Sequence, residues 1–192
     1  MLYTKKGDKG TSGLFCSSPS EHISKTDTVF EALGEIDQLN SLLGLCRAYN
    51  KSTYIKIGKK KISVAEIVRA AQDTLFVIQA ELAGAPKRVK KSVLDEAEKL
   101  IDDMEKEMPP IKSFKLSGES KESAWFDYAR AVTRHAERKV LIHAKAHPKA
   151  VSDTTRQYLN RLSSLLYACA RVITFQKGVK EYPPTYKTSE YR

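Results

Sequence analysis

No apolar run in the 192-residue sequence approaches the roughly 18 residues that a membrane-spanning helix needs. The opening MLYTKKGDKG lacks the apolar core of a secretory signal. Cysteine is scarce. Cys16, Cys46 and Cys169 are odd in number, far apart and without CxxC spacing, which argues against a disulfide framework and a structural zinc site. Two of them fall on helical patterns and read as buried, reduced thiols, so a cytoplasmic setting is expected. Internal repeats and low-complexity tracts are absent, and Pro86, Pro109-Pro110 and Pro148 fall between helical patterns rather than inside them.

What is present is an ordinary globular balance, 41% apolar and 29% charged, in a length suited to one domain with a real core. The net charge of +10 is less ordinary. Such a field attracts nucleic acid, anionic lipid or phosphorylated metabolites, and it also serves plain solubility. The basic residues are scattered and no groove-reading motif appears, which weighs against nucleic acid.

The periodicity predicts five amphipathic helices. The first starts near Asp27, capped by Thr26 or Asp27, with Phe30, Leu33, Ile36, Asn40 and Leu43 recurring at threes and fours. The second spans residues 63–83, stopped by Gly84 and Pro86. The third spans 91–108, before Pro109-Pro110 forces an extended segment through Phe114 and Leu116. The fourth spans 120–146 and the fifth 152–177. Short connections favour an all-α, up-and-down five-helix bundle over residues 1–178. Lys51–Lys61 reads as a basic hairpin insertion with no assigned role, and residues 179–192 as a loosely held tail.

Three features carry chemistry. On the fourth helix Arg130, Arg134, Glu137 and Arg138 share an arc of about 100°. An exposed charged face is the plain reading of that arc, but Leu141 lies within it while Val132, Ala136 and Val140 form a second apolar stripe. A helix wrapped on two sides gives guanidinium groups a place to grip phosphate or carboxylate. On the first helix, Asp37 sits at the edge of an apolar stripe, either as a structural ion pair or as a working carboxylate with an arginine of the fourth helix. The fifth helix adds Asn160 and Arg161 after the inward Leu159. At the N-terminus, residues 1–24 form a Gly/Ser/Lys loop. Its glycines let backbone amides approach an anion, and its hydroxyls and lysines add hydrogen bonds and charge. The loop is not a Walker A motif, since the GxxxxGK[ST] order is missing. Leu14 and Phe15 read as a buried pair that orders it.

Taken together, TKKGDKGTSGLF, DTVFEALGEIDQLNSLLG, LFVIQAELA, FKLSGESKESAWFDYARAVTRHAERKV and YLNRLSSLLYACAR resemble the PduO-type ATP:cob(I)alamin adenosyltransferases, in order from about Leu2 to Arg171. The resemblance implies a homotrimer of five-helix bundles, with ATP and Mg²⁺ at each subunit interface and cob(I)alamin beside them. It implies nucleotide contacts by Thr4, Lys5, Lys6, Gly7, Ser12, Gly13 and Lys25, by Arg134, His135, Ala136, Glu137 and Arg138, and by Asn160. It pairs Asp37 with Arg130 as the catalytic couple and sets Phe114 against the lower face of the corrin ring. From the residues alone, Phe114 reads instead as a core anchor after the Pro-Pro kink. The reaction implied is transfer of the 5′-deoxyadenosyl group of ATP to cobalt, giving adenosylcobalamin and triphosphate. A flavoprotein reductase and a B12-dependent acceptor enzyme are the partners implied. The chain departs from the family pattern at His135, where many members have a second arginine. It departs again at Ser117-Gly118-Glu119 in place of Pro-Gly-Gly, and at Ser164 in place of Asp.

Overall fold

The computed structural model describes residues 3, 5, 7–16 and 22–186. Five helices account for most of them: α1 (Thr28–Tyr49), α2 (Val64–Leu82), α3 (Lys91–Glu105), α4 (Lys121–Ala146) and α5 (Asp153–Gln176). Two short antiparallel ribbons complete the fold, β1 (Thr11–Ser12) with β2 (Ile23–Ser24), and β3 (Tyr54–Ile57) with β4 (Lys60–Ser63).

Side-chain caps set where four of the helices begin. Asp27, Ser63, Ser120 and Ser152 each accept a hydrogen bond from a backbone N–H of the first turn, satisfying a donor that the helix itself leaves free. Gly84, at φ +88°, ends α2 in the left-handed conformation that glycine adopts without strain. The basic segment expected to form a hairpin does so, turning at Gly58 with φ +57°. It is pinned to the bundle from two sides. Lys56 N–H donates to Gln176 Oε1 at 2.9 Å while Gln176 Nε2 donates to the Lys56 carbonyl at 2.7 Å. The Gly58 amide donates to Glu107 Oε1 at 2.7 Å.

The packing order is α2, α1, α4, α5, α3. This differs from the sequence order because the connection from α3 to α4 is long, running over residues 106–120, and lets α4 dock on α1 rather than on α3. One continuous core runs through all five helices. In α1 the inner stripe is Val29, Ala32, Ile36, Leu39, Asn40 and Leu43, with Phe30 and Leu33 only partly covered. In α5 the expected Leu159, Leu162, Leu166, Cys169 and Ile173 are all buried. Burial pushes the thiols of Cys46 and Cys169 up to about 12, so neither is a nucleophile at neutral pH. No helix among the described residues is long and apolar enough to cross a membrane.

The C-terminal segment is not loose over its described part. Tyr182 accepts a backbone hydrogen bond from Leu116 N–H at 2.9 Å, and Glu181 pairs with Arg171.

Candidate functional site

A groove of about 530 Å³ opens between the 111–117 segment, α4 and α5. Pro109 and Pro110 cannot continue α3, so the chain crosses this face extended and presents Ser113, Phe114 and Lys115 to the groove. Asp127 and Arg130 of α4 and Tyr167 of α5 form the opposite wall. Phe114 is 78% exposed. It is therefore not the core anchor that its setting after two prolines suggests, and its ring faces a cavity large enough for a sizeable ligand.

A second groove continues along the same helices, lined by Arg130, Arg134, Ser163, Ser164 and Tyr167. The fourth-helix arc therefore brings Arg130 and Arg134 to one furrow. Arg130 lies over the Tyr167 ring, 5.6 Å from its centroid, and its Nε is buried without a hydrogen-bond partner. An arginine held this way has donors to spare for a ligand or another chain. Arg138 turns back one turn instead, donating to the Arg134 carbonyl at 3.0 Å and lying 3.2 Å from His135 Nδ1.

Asn160 donates to Glu137 Oε1 at 3.1 Å and accepts from Arg161 at 2.6 Å, while Arg161 Nε pairs with Glu98 at 2.8 Å. This relay orients Glu137 and Asn160 beside the arginines. His135 Nε2 meets Glu35 of α1 at 3.2 Å. Ala136 is fully buried in the core and offers no side chain to a ligand.

The N-terminal loop leads into α1, whose first turn meets the far end of α4, with Thr28 Oγ1 3.0 Å from His143 Nδ1. Its ribbon holds Ser12 against Ile23, Gly13 follows exposed, and Lys25 folds its ammonium onto the Gly7 carbonyl at 3.1 Å. A Cβ on Gly7 would lie 2.8 Å from Lys25 Nζ, the far end of a flexible side chain that can move aside. Lys5 has a positive φ of 60° and is exposed. Thr4 and Lys6 lie outside the described residues. The expected burial of Leu14 with Phe15 is half right: Leu14 is partly covered but Phe15 is 87% exposed.

Asp37 needs correction. It is exposed on α1, and Arg130 points instead into the furrow beside Tyr167. Within one chain the two do not form the part-buried pair that the stripe pattern suggests. The acidic groups that α1 does offer to α4 are Glu31, paired with Lys139 at 2.8 Å, and Glu35.

The buried charge lies elsewhere, at residues the sequence reading passed over. Arg171 of α5 donates to both oxygens of Asp127, at 2.7 and 2.8 Å, and also pairs with Glu181. Arg171 and Asp127 are 3% and 5% exposed. Burial pushes the Glu181 carboxyl above its ordinary value, against the pull of Arg171 and Lys115. Tyr167 lies between the two arginines, 5.1 Å from Arg171 and 5.6 Å from Arg130. An Asp inside the WFDYA stretch, next to the buried Phe126, was the available signal.

Where α1 meets the end of α4, His143 is buried with Nδ1 3.0 Å from Thr28 Oγ1 and its ring 4.8 Å from His147. Burial holds His143 below its ordinary value, His147 adds to this, and Asp27 opposes it. A histidine whose folded value is depressed stabilises the fold fully above the unfolded value near 6.5, and the gain is lost as pH falls through the folded value. Acidification from about pH 7.5 to 5 is therefore expected to lower the melting temperature. His143→Gln should flatten that part of the profile, as read by melts across pH, and an unchanged slope would contradict the assignment.

The profile of the cobalamin adenosyltransferase family matches residues 2–173, nearly the whole chain. The chain belongs to the cobalamin adenosyltransferase family. Among curated relatives it is 34% identical to the corrinoid adenosyltransferase of Mycobacterium tuberculosis, over 89% of this chain and 87% of that one. It is 35% identical to the corrinoid adenosyltransferase of Bacillus subtilis, over 93% and 89%. Of solved structures, a phenylalanine-to-histidine variant of the PduO-type ATP:corrinoid adenosyltransferase from Lactobacillus reuteri, complexed with cobalamin and ATP, superposes with a TM-score of 0.82. That likeness covers all of both chains at 23% identity. As a member of this family the chain keeps the five-helix fold, with a groove against the exposed phenylalanine beside Asp127 and Arg130 of α4, and a glycine loop leading into α1.

Proposed function

We propose that the groove between Phe114 and Arg130 is where this chain transfers the 5′-deoxyadenosyl group of ATP to cob(I)alamin, releasing triphosphate. The observation that carries this is Phe114 itself, a large aromatic ring held out over a 530 Å³ groove rather than buried. Family membership and the corrinoid adenosyltransferases among the relatives support the same reaction.

Cob(I)alamin is the nucleophile, so the protein needs none. The cobalt electron pair forms the Co–C5′ bond, the C5′–O bond breaks, and triphosphate leaves with that bond's electrons. What the chain supplies is placement, which can contribute roughly 7–11 kcal/mol, and charge for the leaving group. Lys5, Lys6, Lys25 and Arg134 are the cations for the triphosphate, with Thr4, Gly7, Ser12 and Gly13 supplying loop donors. Arg138 is preset against the Arg134 carbonyl on the same face. A Mg²⁺ ion needs few protein ligands when phosphates and water fill its shell; Glu137, oriented by Asn160, is a carboxylate suited to it. Phe114, against the lower face, keeps an axial ligand off Co(II). Losing that ligand makes reduction to Co(I) easier, since axial ligation is a main control of metal potential. A flavoprotein reductase then delivers the electron, and a B12-dependent enzyme takes the product.

The site is shared between subunits of a homotrimer. Within one chain the glycine loop and the Phe114 groove sit at opposite ends of α4. Leu45, Tyr49 and Tyr128 are exposed on α1 and α4, apolar area of the kind that subunit contacts cover, and Asp37 is exposed on α1 as well. The trimer brings Asp37 of one subunit to Arg130 of the next. Light scattering is expected to give three times the 21.6 kDa chain mass. A fully active monomer at micromolar concentration would overturn the shared site.

A further inference from the structure

Arg171, Asp127 and Glu181 carry three charges at the edge of the groove, yet the reaction uses none of them directly. Taking charges out of water is costly unless each is paired, and a buried pair is weak evidence of stability for its own sake. Its geometry points to what it holds. Asp127 lines the Phe114 groove from α4, and Arg171 spans from α5 to meet it with two hydrogen bonds. The other side of the guanidinium meets Glu181, in the segment after α5. One residue further on, the Tyr182 carbonyl accepts the Leu116 N–H at 2.9 Å. Leu116 lies two residues after Phe114 on the same extended crossing. Arg171, Glu181 and Lys115 also line a small cleft with Pro109, Pro110 and Ile111, at the foot of that crossing. A continuous chain of contacts thus runs from Asp127 through Arg171, Glu181 and Tyr182 to the backbone beside Phe114.

We propose that Arg171 is a positioning residue for the corrinoid: by anchoring Glu181 it clamps the C-terminal segment against the 111–117 crossing and fixes Phe114 at the groove. The proposal rests on the reading that this groove takes the corrinoid. The crossing has no helix or sheet ladder of its own. Its Leu116 amide is held by Tyr182, and Tyr182 is held through Glu181. Releasing the clamp therefore lets Phe114 wander, which acts on corrinoid binding and on loss of the lower cobalt ligand, while the nucleotide loop at the other end of α4 is untouched.

Two variants test it while leaving Asp127 and Arg171 themselves unchanged. Glu181→Lys sets cation against cation, and a chain ending at Lys180 removes Glu181 and Tyr182 together. In both, the KM for cob(I)alamin is expected to rise about tenfold or more while the KM for ATP stays within about twofold, misplacement of this order being costly in rate. The share of cob(II)alamin that loses its lower ligand on binding with ATP, read from its electron paramagnetic resonance spectrum, should fall. Glu181→Gln keeps an oxygen for Arg171 and is expected to behave as the parent. Hydrogen exchange without any substrate isolates the clamp. Leu116 N–H should be protected in the parent and exposed in Glu181→Lys. Protection that survives Glu181→Lys overturns the clamp. A freed Leu116 with unchanged corrinoid KM overturns the positioning role, as does an equal rise in both KM values. A parent chain that binds no corrinoid overturns the reading of the groove instead, and the exchange result still decides the clamp.

Discussion

Arg130→Met is expected to lower turnover about a hundredfold or more while leaving the melting temperature of the protein close to the parent's. The structural cost is small because Arg130 makes no ion pair among the described residues and its Nε is buried without a partner there. A thioether of similar length keeps the packing on Tyr167 and removes a charge that burial penalises. The functional cost is large because a misplacement near 1 Å can cost about 10²-fold in rate. Asp37→Asn is expected to match it in activity, again with little change in stability, within about 0.5 kcal/mol for an exposed site. If the two residues meet across the subunit contact at a solvated site, either single variant already breaks the pair. The double variant then does not lose turnover twice over: its deficit should equal that of either single change. Turnover of Asp37→Asn equal to the parent's would remove Asp37 from the site. A double deficit equal to the product of the singles would show that the residues act apart.

Arg134→Ala should weaken use of ATP without touching the fold. Arg134 is exposed on α4, lines the furrow with Ser163 and Ser164, and its carbonyl, which survives the substitution, is what holds Arg138. Loss of a charge-assisted contact to a phosphate is worth about 1.5–3 kcal/mol, or roughly 10- to 150-fold in kcat/KM for ATP. The melt of the apo protein should stay within about 0.5 kcal/mol of the parent. Equal kcat/KM for the two proteins at limiting ATP would mean that this arginine is merely solvated.

The helices were legible in the sequence because their signals are local. Asp27, Ser63, Ser120 and Ser152 cap where capping residues were available, and Gly84 and Pro109-Pro110 stop where glycine and proline must. The order in which the helices pack was not legible, since a 15-residue connection (106–120) leaves the choice of neighbour to the core. Arg130 and Arg134 could be placed on one face from their spacing. Asp37 could not, because a residue at the edge of a stripe turns inward or outward with a small rotation of the helix, and here Asn40 takes the inner place. The Arg171 network escaped for a related reason. Asp127 and Arg171 stand 44 residues apart, and nothing in either local pattern announces the other. Phe114 shows the reverse case: its setting after two prolines reads as a core anchor, whereas the structure holds the ring out at a groove.

The central claim, that this chain makes a cobalt–carbon bond from ATP and cob(I)alamin, is tested most directly by optical spectra under anaerobic, strongly reducing conditions with Mg²⁺. Adding the protein and ATP together should convert the cob(I)alamin spectrum into that of adenosylcobalamin, with one triphosphate released for each corrinoid consumed. A cob(I)alamin spectrum that persists with both present, or triphosphate split into phosphate and diphosphate without a change at cobalt, would contradict it.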